Sequence, residues 1–134
     1  VPRRNVTGFD FGRTIMLVAV LEKRSGIRLG NMDIFVNLTG GVKITEPAAD
    51  LAVSLSIASS LKDKPMPSGT VAFGEVGLSG EIRPVQNGQK RLKEALKRGF
   101  KRIIVDKSSL SEDFADNNSI IPVENIKEAI EAIY

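Results

Sequence analysis

The chain has 134 residues, enough for one domain that buries roughly two-thirds of the surface its unfolded form exposes. Hydrophobic residues make up 42% and aromatics only 5%, so the core must be aliphatic, with Phe9, Phe11, Phe35, Phe73, Phe100 and Phe114 as occasional large fillers, and the formal net charge of +3 says little by itself about partners. Cysteine and histidine are both absent, which excludes disulfides, thiolate and imidazole zinc sites, cysteine nucleophiles and every serine–histidine mechanism. No apolar run approaches the ~18 residues of a membrane span and no signal-peptide pattern opens the chain, so a soluble, cytoplasmic domain with no membrane partner is expected.

Residues 1–12, with Pro2, Gly8 and Gly12, read as an irregular or short-strand lead-in. Residues 13–23 (RTIMLVAVLEK) are too apolar for a surface helix and predict one packed against a sheet, ending near Gly26. Residues 32–38 (MDIFVNL) read as a strand, followed by the Gly40-Gly41 turn and a second short strand over 42–44. Thr45 or Glu46 is the expected cap of a helix over 47–61, whose many alanines and serines imply close approach to neighbouring backbone. A strand over 70–73 leads into a hairpin punctuated by Gly74, Gly77 and Gly80, with its return strand over 81–84. A basic helix over 87–99 turns Leu92, Ala95 and Leu96 inward, and short strands follow at 102–105 and 120–123 before a closing helix over 123–134. Strands and helices alternate after a β-rich start, so the class is α/β or α+β, a mixed sheet covered by helices in a single domain over 1–134.

Charge is segregated. From Lys90 to Arg102, seven basic residues face one acid, a local charge of +6; from Asp106 to Tyr134, seven acids face two lysines, a local charge of −5. Lys90, Lys93 and Lys97 form one stripe of the basic helix and Arg91 and Arg98 the next, while Arg3, Arg4 and Arg13 form a second basic group near the start. On the sequence alone these eight read either as a solvated basic face or as candidate DNA contacts, and any such contacts would be to phosphates because no aromatic platform is evident within the basic helix. Glycines 74, 77 and 80 match neither phosphate-binding glycine motif, so no nucleotide site is expected. Glu46 and Asp50 share a helix face, but acids in a first turn favour the helix dipole, and no metal site is expected from them.

Three stretches, DIFVNLTGGVKITEPAAD (33–50), FGEVGLSGEIRPV (73–85) and QKRLKEALKRGFKRIIV (89–105), together with GFDFGRTIMLVAVLEKRSG (8–26), resemble the C-terminal, Lon-protease-like domain of the bacterial RadA/Sms family of DNA repair proteins. The resemblance implies a Lon proteolytic-domain-like fold of the ribosomal protein S5 domain 2-like kind. It also implies a role in DNA recombination, repair and branch processing, with duplex or branched DNA and a homohexameric ring as partners. ATP, magnesium and zinc would belong to parts of the parent protein absent from this chain, leaving no cofactor here. In active Lon proteases a serine at a helix start is activated by a lysine on a later helix; carried over residue by residue, the serine position is Ala48 and the lysine position Gln89. A methyl group cannot attack a carbonyl and a neutral amide cannot act as base, so the domain is expected to be no enzyme. Lys90 lies one residue along, but one helical step turns a side chain ~100°, off the required face. The competing expectations are a Lon-type serine peptidase with a relocated dyad, for which Ser54, Ser56, Ser59 and Ser60 are the nearby hydroxyls, and a pure oligomerisation scaffold.

Overall fold

A computed structural model describes residues 1–134. The strands fall into three small sheets and not one: a parallel pair, β1 (Arg4–Thr7) with β2 (Ile34–Asn37); a parallel trio ordered β3 (Thr70–Ala72), β6 (Arg102–Asp106), β7 (Ile120–Val123); and an antiparallel hairpin, β4 (Glu75–Val76) with β5 (Ile82–Arg83). Four helices accompany them: α1 (Phe11–Ser25), α2 (Asp50–Lys62), α3 (Gly88–Lys97) and α4 (Ile126–Ile133). The class is the mixed α/β arrangement the alternation predicts, with both parallel and antiparallel pairing.

Local chemistry explains most boundaries. Helix α1 begins two residues before the predicted start because the Asp10 carboxylate accepts the Arg13 N–H at 2.7 Å, and it stops where Gly26 turns left-handed at φ 73°. The expected cap on the second helix is absent. Glu46 makes no capping bond, residues Pro47–Ala49 wind as a 3-10 turn, and Asp50 enters the first α-helical turn with its carboxylate directed elsewhere. The strand expected over 42–44 is also absent: a 3-10 turn at Thr39–Gly41 carries the chain away, and only the Ile44 N–H returns, to the Gly8 carbonyl at 2.7 Å.

Strand β6 shows how the core is divided. Ile103, Ile104 and Val105 are all fully buried, with Ile104 in a cluster shared by α1, α2 and α4, and Ile103 and Val105 in a smaller cluster with Leu92 and Ala95 of α3. Alternate side chains of a strand point to opposite faces, so the three-stranded sheet is covered on both sides, as parallel sheets require. The larger cluster holds 21 buried residues and the smaller one 7. That difference makes α3 the thinly anchored, outward-facing helix of the fold. Helix α2 lies deep in the larger cluster, and its start is tied to the hairpin by backbone: the Leu51 N–H donates to Gly74 O at 3.1 Å and the Gly74 N–H to Ala48 O at 3.0 Å. A side chain at position 74 would sit 2.8 Å from Ile82 Cγ2, which is why glycine stands at this crossing.

Candidate nucleic-acid interface

Ala48, the position of the Lon serine, lies in the 3-10 turn leading into α2, buried to 5% exposure. It shares a cavity of about 710 Å³ with Ala52, Val71 and Phe73 on the apolar side and with Lys90, Arg91 and Arg98 of α3 on the other. The lysine position behaves otherwise: Gln89 donates through Nε2 to the Ser109 carbonyl and accepts from Ser111 Oγ at 3.3 Å, bonding to the turn after β6. Gln89 is bound to that turn, and its neighbour Lys90 lines the cavity that holds Ala48. No serine of α2 joins Lys90 there. Ser54 is buried with an unpartnered hydroxyl, Ser59 donates to the Lys64 carbonyl at 2.5 Å, and Ser56 and Ser60 line a different cavity beside β2. A relocated serine–lysine pair is thus not assembled between these serines and Lys90.

The eight basic candidates divide by what they touch. Arg13 points inward: its Nε donates to Asp50 Oδ1 at 2.8 Å and its Nη2 to Asp50 Oδ2, with Glu75 3.9 Å away. The Asp50 side chain is fully buried and also accepts the Val76 N–H at 3.1 Å, so α1, α2 and β4 meet on one carboxylate. The hydrogen bond to Asp50 holds the Arg13 guanidinium above its ordinary pKa, outweighing partial burial. Arg3 pairs with Asp33 at 3.2 Å, and Arg4 donates to the carbonyls of Leu29 and Met32 and meets no carboxylate. On α3, Arg91 reaches Glu46 at 3.3 Å and the Gln86 carbonyl at 2.9 Å, and Arg98 pairs with Glu94 at 2.7 Å. Lys90, Lys93 and Lys97 are exposed and form no ion pair, and Lys101 extends them beyond the helix in the same condition.

α3 thus presents a paired arginine row and a free lysine row, over an inner edge of Leu92 and Ala95. The N-terminal arginines stand apart, around β1 and β2. Both carboxylates once weighed as a metal pair are committed, Glu46 to Arg91 and Asp50 to Arg13, and no cluster of three metal-binding side chains occurs. The sequence left Asp50 unremarked as the anchor of Arg13, and two of the phenylalanines expected as large core fillers are exposed instead, Phe35 on β2 at 60% and Phe11 at the start of α1 at 53%. The signal for Phe35 was present in the alternation of Ile34 and Val36 with Phe35 and Asn37, which puts the ring on the face opposite the buried Ile34. No helix is long and apolar enough to cross a membrane.

The family described as subunit ChlI of Mg-chelatase matches residues 13–109. The chain is also 45% identical over 129 residues to the DNA repair protein RadA of Escherichia coli K12, covering 96% of this chain and 28% of that protein. It is 49% identical over 133 residues to the protein of the same name from Aquifex aeolicus, covering 99% and 30%, and 46% identical over 130 residues to that of Bacillus subtilis 168, covering 96% and 28%. The chain therefore spans about three tenths of the length of these relatives. One expectation is corrected by these matches. Ala48 and Gln89 argued that the chain is no enzyme, yet the matching family is named for a subunit of an enzyme and the homologous proteins are more than three times as long. The missing serine and lysine bear on peptidase chemistry at those two positions and nothing wider. By a family match over residues 13–109 and homology along nearly its whole length, the chain belongs to the family described as subunit ChlI of Mg-chelatase and is a homologue of the DNA repair proteins named RadA.

Proposed function

We propose that the chain is the DNA-contacting part of a longer DNA repair protein, holding nucleic-acid phosphates on the lysine row of α3. The observation that carries this reading is the clustering of Lys90, Lys93, Lys97 and Lys101, all exposed and without a carboxylate partner, beside arginines that are neutralised internally. A lysine held by no protein anion keeps its charge available for a phosphate, and its release of counterions drives binding. Arg13 is excluded from the contact set by its buried partner. The names of the relatives support repair as the setting. Recombination and branch processing, and assembly into a hexameric ring, belong to the same proposal. The +6 and −5 segments suit a head-to-tail contact between neighbouring copies, and sedimentation at low salt tests it, with monomer alone counting against a ring.

Duplex binding is measured by fluorescence anisotropy across a salt series. Replacing Lys90 and Lys97 by alanine together is expected to lower the salt slope by about two units, uniformly across DNA sequences. Lys62→Ala/Lys64→Ala is the control, since these residues lie at the far end of α2 and in the loop after it. Equal losses from the two pairs would reduce the contact to general electrostatics and overturn the assignment of a site.

A further inference from the structure

Strand β3 stands at the edge of its sheet, paired on one side to β6 and on the other to no strand. Its register with β6 fixes where its backbone groups point. The Phe73 N–H donates to Ile104 O at 3.2 Å and the Arg102 N–H to Gly69 O at 3.2 Å, so residues 69, 71 and 73 face β6. The N–H and C=O of Thr70 and Ala72 therefore point out of the sheet, and neither residue's backbone meets a partner in the protein. At Gly74 the chain itself takes up the same edge, through Ala48 O and the Leu51 N–H. The edge is thus closed at one end and open at Thr70 and Ala72. An unpaired edge of this kind is a template for a further strand.

The cavity of about 710 Å³ lies along this open edge, because its walls come from both faces of the sheet. Ala48 and Ala52 line the α2 side, Lys90, Arg91 and Arg98 the α3 side, and Ala72 lies between them. An added strand sends alternate side chains to the two walls. On the α2 side the alanines leave room for small apolar groups. On the α3 side Arg91 is paired with Glu46 and Arg98 with Glu94, which leaves Lys90 as the uncompensated cation. That wall suits a carboxylate. A phosphodiester backbone does not suit the edge, since it has no N–H to give the Thr70 or Ala72 carbonyl.

We propose that this edge binds an extended peptide segment of another protein by strand addition, its acidic side chains alternating with small apolar ones. Its backbone pairs with Thr70 and Ala72, its apolar side chains lie over Ala48 and Ala52, and its carboxylates face Lys90. The inference is independent of the DNA-contacting reading, with Lys90 the residue common to both.

The probe is a fluorescein-labelled peptide of about eight residues alternating valine with aspartate, followed by anisotropy against the whole chain. Saturable binding is expected, and the same peptide with lysine in place of aspartate should bind about tenfold more weakly. Lys90→Glu, at an exposed position, is expected to reverse that preference. Alternation fixes the register, so only one of the two alternate sets of peptide amides faces the edge. N-methylation of that set is expected to weaken binding about tenfold, and N-methylation of the other set to leave it unchanged. Equal weakening by both sets, or by neither, would overturn strand addition. Failure of the peptide to bind, while duplex binding still responds to Lys90→Ala/Lys97→Ala, would overturn the edge site and leave the phosphate reading intact. Peptide affinity that falls as the protein is concentrated would mean that a second copy occupies the edge, and would likewise overturn the proposal.

Discussion

Two groups of basic residues look equivalent in the sequence and have opposite physical situations. Near the start, Arg13 sits on α1 within a run of apolar residues and is drawn into the interior, where its guanidinium closes over the fully buried carboxylate of Asp50. On α3, Lys90, Lys93 and Lys97 project from a helix whose opposite edge is anchored by the smaller cluster, and their charges remain in water. The lesson concerns solvation. A cation becomes part of the structure when the fold supplies an anion that cannot reach water, and it remains available to a ligand when the fold supplies none. Asp50 is the residue that separates the two cases: its carboxylate is cut off from solvent, accepts the Val76 N–H and therefore requires a cation to be tolerable where it lies.

The comparison is broken most directly at Arg13. Arg13→Met removes the cation and leaves the buried carboxylate uncompensated, so a loss of about 3–5 kcal/mol in urea unfolding is expected. Arg13→Lys should recover only part of that loss, since an ammonium cannot reproduce the two parallel bonds to both Asp50 oxygens. A loss under about 1 kcal/mol for Arg13→Met would return Arg13 to the surface group.

The next effect sharpens the α3 side. Leu92 is fully buried under the lysine row, and Leu92→Ala is expected to cost about 2–5 kcal/mol by opening a cavity in the smaller cluster. Lys93→Ala, one residue away and exposed, should stay within about 0.5 kcal/mol by the same measurement. Comparable losses from the two would mean that the lysine row supports the fold and is not free.

Arg3 is the intermediate case, paired with Asp33 but with 76% of its side chain exposed. Arg3→Ala is expected to change stability by no more than about 1 kcal/mol, because an exposed pair is screened by water and salt. A thermal midpoint that falls as far as in Arg13→Met would erase the distinction between buried and exposed arginines.

The smallest effect lies in acid and concerns Glu81. Its hydrogen bond from Arg83 holds the carboxyl below the usual carboxylate pKa, helped by backbone N–H donors that include Ser79. A depressed folded pKa means that the contribution is present above the ordinary value of 4.5 and is lost as pH falls through the lower folded value. Glu81→Gln should therefore melt slightly below the natural chain at pH 7, and the gap should close at strongly acid pH. A gap that widens in acid would reverse the sign and remove Arg83 as the cause.

Periodicity and capping chemistry made the elements legible: α1 from its apolar run and Gly26, the hairpin from its glycines, α3 from Leu92, Ala95 and Leu96. The same local signals failed at residues 42–44, where an apolar run made no strand because no neighbour offered a ladder and only Ile44 found a bond, to Gly8. Composition excluded histidine and cysteine chemistry outright, and the identities of Ala48 and Gln89 removed a hydroxyl and an amine from those positions before any fold was known. What only the tertiary structure decided is where charges and rings point. The partner of Arg13 lies 37 residues away and that of Arg91 lies 45 away, so local pattern could flag only Arg98, four residues from Glu94, and could not distinguish the other two from free arginines. Lys90 was set aside by a helical step of ~100°, but the direction of a step matters only once the neighbouring wall is in place. The wall is the turn after β6, which binds Gln89, while the exposed Lys90 lines the cavity that also holds Ala48. Secondary structure is written in interactions a few residues apart, whereas the charge state of a surface is set by which distant segments packing brings against it.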